Sequence, residues 1–242
     1  LDSKLDLISV KVGGRGMSYS LELNKMSIET YRELLRKQVL LPSRKFLQDD
    51  LDENFEEIRN LGINDLGELK KQLSTPKKLD ECATKSGIPK DYLVLLKREI
   101  GSIQPNIIPI NEFPEFRVEI IEQLVDLGVK SSKDYFEFYA RFMDIQELVS
   151  IVPMTLDEAK ELFCLCNLVR INGVGAVAAK SFYDAGYISV QDVSSASAEK
   201  LLEKVLAVNA RKHLYQAKLG VKDMQFCIDA ARMIERFEDK SV

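Results

Sequence analysis

With 242 residues, 45% apolar and 30% charged, the chain is long enough for several small domains and too rich in core-forming residues to be disordered. No apolar run approaches the roughly 18 residues of a membrane span, and no basic-then-apolar leader opens the chain, so the expected location is cytoplasmic and no membrane partner is expected. The net charge of −4 is a poor start for a general nucleic-acid binder, but it is unevenly spread: −7 over residues 101–165 and +2 over residues 166–242.

Residues 5–23 alternate around Gly13-Gly14-Arg15-Gly16, the pattern of a small β-hairpin. A lone hairpin is marginal in water, so this one should dock on helices or pair with a second copy to form a dimer. The alternative is that Met17 is the natural start and residues 1–16 are a leader or cloning remnant, leaving one short strand. Residues 1–24 therefore form a segment separate from the helical remainder of the chain.

After Asn24 the pattern is helical. Ser27 caps a run with Ile28, Tyr31, Leu34 and Leu35 on one face, and the helix should break near Leu41-Pro42-Ser43-Arg44, with Ser43 capping the next. Arg32, Arg36, Lys37, Arg44 and Lys45 cluster here and read as a solvated charged face, with an anion or partner patch as the alternative.

From Asp50 onward the chain repeats. Phe55 to Leu73, Val118 to Tyr139 and Ala178 to Ser197 each give an amphipathic helix, a C-terminal glycine (Gly62, Gly128, Gly186), a polar cap and a second short helix. Ser86–Ile100, Val152–Leu168 and Leu219–Ile234 each add a turn and a capped helix. The period is about sixty residues. The units run 25–104, 105–166 and 167–242. Pro105, Pro109 and Pro114 make Ile100–Phe116 a semi-extended joint between the first two, whereas the second should run into the third as one body.

The four cysteines, Cys82, Cys164, Cys166 and Cys227, read as core thiols in a reducing compartment. The single histidine, His213, reads as ordinary helix surface. No metal, cofactor or catalytic signature stands out, and no Walker-type Gly-Lys-Ser/Thr is present, so the chain reads as non-catalytic.

The unit from residue 167 holds the one motif with binding chemistry. Asn172-Gly173-Val174-Gly175-Ala176, followed by Ala178, Ala179 and Phe182, resembles the helix-hairpin-helix motif. Glycines there would let a phosphate approach the backbone, and the amides and dipole of a helix start favour an anion. Val174 should point inward. Residues 170–205 with 219–234 look like the helical N-terminal domains of archaeal and eukaryotic recombinases. Over residues 25–235 the chain resembles an uncharacterised bacterial and archaeal family of tandem helix-hairpin-helix-like units, a domain of unknown function. Leu41–Arg44, Gly87–Leu93, Phe113-Pro114, Leu168–Gly175 and Gly220–Met224 carry that likeness.

The resemblance implies a mainly α fold of tandem helix-hairpin-helix (SAM-like) bundles of short helices. That family supplies no activity to carry over; the glycine turn itself leads us to expect backbone binding of DNA without sequence reading, through Gly173, Val174 and Gly175 as amide donors, with Arg170, Lys180, Arg211 and Lys212 as phosphate contacts. The first two units depart from the motif, with carboxylates where the third has glycine. The alternative is a protein-interaction scaffold that uses the acidic middle unit, with Glu112, Glu115, Glu119, Glu122 and Asp126.

Overall fold

A computed structural model describes residues 18–238 apart from Val39, Leu41 and Met143. The protein is mainly helical, and no strand occurs among the described residues. Residues 5–17 of the expected hairpin lie outside them. Its remaining part, 18–23, is corrected: it runs through a bend into a 3-10 turn at Leu23–Lys25. Tyr19, Leu21 and Leu23 are all buried, so the alternation marks side chains facing inward and not a ladder.

The chain divides into two compact units. The first, Leu21–Gln104, contains α1 (Ile28–Lys37), a 3-10 stretch at Pro42–Gln48, α2 (Leu51–Asn60), α3 (Leu66–Gln72), α4 (Pro76–Ser86) and α5 (Lys90–Ile103). Ser27 caps α1 by accepting from the Thr30 amide at 3.1 Å, as expected. Ser43 falls inside the 3-10 stretch and not at its start. The basic cluster is largely spent on ion pairs: Arg32 lies 2.7 Å from Glu29, Arg36 pairs with Asp52, and Arg44 pairs with the buried Glu99.

The second unit, Pro105–Arg236, is joined by Ser18–Ser20. It contains α6 (Val118–Asp126), α7 (Ser132–Tyr139), α8 (Ile145–Ile151), α9 (Leu156–Leu168), α10 (Ala176–Asp184), α11 (Val190–Ser194) and α12 (Ala198–Lys212). The last helix, α13, spans Val221–Glu238.

The repeat is visible as a shared device. Gly62, Gly128 and Gly186 follow α2, α6 and α10 at φ of +80°, +84° and +88°, a conformation in which a side chain is strained. Two residues later a backbone amide (Asn64, Lys130, Ile188) donates to a carboxylate (Glu68, Asp134, Asp192) at 2.7 to 3.2 Å. The amide of that same acidic residue donates to the cap side chain of Asp65, Ser131 or Ser189. Each copy thus closes its inter-helix turn with a reciprocal pair, close in plan to a capping box.

The proline joint is less free than expected. Residues through Ile103 are still helical, and the Ile110 amide donates to Lys130 while the Ser132 amide donates to Ile108, at 2.9 and 2.7 Å. Met26–Ile28 makes the same two bonds with Asn64 and Leu66 in the first unit. The segment ahead of a repeat therefore latches onto that repeat's first turn.

Candidate functional site

The turn between α9 and α10 begins at Val169, which ends α9, and Gly175 stands at the N-terminus of α10. Val174 is fully buried, its side chain inward as expected, but its amide donates to the Ile171 carbonyl at 3.0 Å, so it is corrected as an amide donor to phosphate. Gly173 and Gly175 are exposed on either side.

The two glycines exist for different reasons. Gly173 has φ +88°, where a side chain is strained, so the backbone calls for glycine, and a methyl group there would also come within 2.9 Å of the exposed Phe226 ring of α13. Gly175 is extended (φ −91°), and an added methyl would meet nothing within 4 Å. The fold does not need glycine at 175. No side chain caps α10, and its first intrahelical bond runs from the Ala179 amide to Gly175 at 2.9 Å, so the amides of residues 176–178 have no helical acceptor. No acidic residue sits in this first turn, whereas α2 has Asp52 and Glu53 there and α6 has Glu119.

The cations expected around the turn divide sharply. Arg170 is 2% exposed and faces inward: Nε donates to the Tyr19 carbonyl at 3.1 Å, Nη2 to the Ser18 carbonyl at 3.4 Å and Nη1 to Asn167 Oδ1 at 2.9 Å. Its guanidinium lies 5.2 Å from the Phe136 ring centroid. Lys180 is also buried, with Nζ 2.7 Å from Asp184, 2.9 Å from Glu161 and 2.9 Å from Glu115. Neither can reach a phosphate, because desolvated cations are held where their partners are. Lys212 is partly exposed but shares Glu115 and Asp184 at 3.1 and 2.8 Å. Arg211 remains exposed. Lys222, not singled out by its sequence setting, is exposed one helical turn before Phe226 on α13.

Glu115, Glu161 and Asp184 with Lys180 and Lys212 form one ionic cluster within this unit. The hydrogen bond from Lys180, opposed by partial burial and aided by Lys212, holds the Glu115 carboxyl below its ordinary value. Burial works against the Lys180 charge, but Asp184, Glu161 and Glu115 outweigh it and raise its pKa. The signs set a window. A depressed carboxylate contributes stability above the ordinary range near ~4.3 and loses it as pH falls, while a raised lysine contributes below ~10.4 and loses it as pH rises. Chemical denaturation against pH should therefore give a plateau through neutrality with an acid-side fall. Glu115→Gln should flatten that fall by only a few tenths of a kcal/mol, since Glu115 is 45% exposed.

All four cysteines are buried, and burial pushes Cys164 and Cys227 up to about 12. His213 differs from its expected place on a helix surface. It ends α12 in the left-handed conformation at φ +52°, its amide donating to Asn209.

Helices joined by glycine-ended, reciprocally capped turns define Pro105–Arg236 as an all-α module built from repeated helical hairpins. Residues 116–234 within it match the family described as Domain of unknown function (DUF4332). No curated protein and no solved structure matches the chain.

Proposed function

We propose that the α9–α10 segment is a helix-hairpin-helix and that the protein binds the phosphate backbone of DNA there, without catalysis and without reading sequence. Gly175 carries this reading. It is a glycine the fold does not require, placed at an exposed, uncapped helix start where a phosphate oxygen can approach bare amides. The contact set is narrower than the sequence implied. The amides from Gly175 onward act with Arg211 and Lys222 as exposed cations, while Arg170 and Lys180 serve the fold. The likeness to recombinase N-terminal domains and to tandem helix-hairpin-helix proteins belongs to the same proposal.

Few cations mean weak binding that is sensitive to salt. Fluorescence anisotropy with labelled single- and double-stranded oligonucleotides of mixed sequence should show binding that falls on the order of tenfold between ~50 and ~200 mM salt. Gly175→Asp places a carboxylate on the free amides, so it should abolish binding while leaving the thermal midpoint unchanged or slightly raised. Absence of native binding at low salt, or unchanged binding by Gly175→Asp, would overturn the proposal.

A further inference from the structure

Helix α6 is more apolar than its burial explains. Five of its nine residues, Val118, Ile120, Ile121, Leu124 and Val125, are apolar, yet only Ile120 and Leu124 are buried. Val118 is 64% exposed and Val125 38% exposed, and Ile121 between them is half-buried. At 100° per residue the buried pair points one way, and positions 118, 121 and 125 form a separate row on the outer side. Single exposed apolar residues are common, but a row at i, i+3 and i+7 is the pattern of a helix face that another helix covers.

A second row lies beside the first. Glu119, Glu122 and Asp126 each follow one residue after Val118, Ile121 and Val125, so an exposed acidic edge runs parallel to the apolar one. None of the three is ion-paired among the described residues, and Arg117, at the head of the helix, is committed to Glu158 at 3.1 Å. The helix itself carries no Lys or Arg.

We infer that this face docks a basic amphipathic helix of a partner protein, its apolar row on Val118, Ile121 and Val125 and its Lys or Arg row along Glu119, Glu122 and Asp126. The charge selects the occupant. An anionic membrane or a nucleic acid would be repelled, and a second α6 has no basic row to offer. The surface is distinct from the Gly175 turn and does not depend on it.

The probe is a labelled synthetic helix with leucines at i, i+3, i+4 and i+7 and lysines on the flanks, titrated against the full chain by anisotropy. A scrambled peptide of the same composition and a glutamate-for-lysine version serve as controls. The ordered lysine peptide should bind and the two controls should not. Val125→Asp should weaken binding by roughly tenfold or more, and Glu122→Lys with Asp126→Lys should lose the lysine peptide and gain the glutamate one. All three positions are exposed, so circular dichroism should match the native protein. Equal binding of the scrambled peptide, or indifference to these substitutions, would overturn the inference. So would a native dimer that Val125→Asp dissociates while no peptide binds, because the occupant would then be a second copy.

Discussion

Lys180→Met is expected to lower stability by about 3–5 kcal/mol, the cost of removing one partner from a buried ion pair. Glu161, Asp184 and Glu115 converge on its ammonium within 2.9 Å, and its side chain is 5% exposed. Methionine keeps the length and removes the charge, so the variant isolates electrostatics from packing. Three carboxylates would be left facing one another with only Lys212 between two of them. Urea denaturation at neutral pH measures the loss. Adding Glu161→Gln and Asp184→Asn should recover a good part of it, because the uncompensated charge causes most of the damage. A variant as stable as the native protein would show that water reaches the cluster and the charges are screened there.

Arg170→Leu should cost about 3 kcal/mol, by a different route. The substitution leaves the Ser18 and Tyr19 carbonyls without their donor and removes the guanidinium from the face of Phe136. Tyr19 is itself fully buried, its hydroxyl shared with Ser132 Oγ at 2.8 Å and donated to the Asn106 carbonyl. The damage should spread along this line, so residues 18–20 should become open to protease in the variant while remaining closed in the native chain. A loss of oligonucleotide binding without loss of stability would instead return Arg170 to the phosphate role its sequence setting suggested.

These two side chains also mark where sequence reasoning stops. The repeat was legible because glycine at a left-handed helix end and a hydroxyl or carboxylate at a helix start are local requirements, and both recur at fixed spacing. The inward Val174 was legible for the same reason. Lys180 was not, although a trace existed: it stands four residues after Ala176 and one after Ala179, on the face those alanines bury, and four before Asp184. A charge on an apolar face asks for partners, and two of them, Glu115 and Glu161, come from elsewhere in the chain, where no spacing rule reaches. Arg170 reaches Asn167 three residues away, but it also reaches the Tyr19 and Ser18 carbonyls, which lie 151 and 152 residues away in sequence. The expected strand at 18–23 failed because alternation reports burial on one side and is silent on whether a neighbouring strand exists.

The cysteines give the molecule a set of native reporters. Cys82 lies in the Leu21–Gln104 unit, and Cys164, Cys166 and Cys227 lie in the other. Shielded thiols held in the neutral form react with alkylating reagents only when the surrounding structure opens. Pulse-labelling followed by peptide mass spectrometry can therefore time the opening of each unit separately in the unmodified chain, without introducing a single probe.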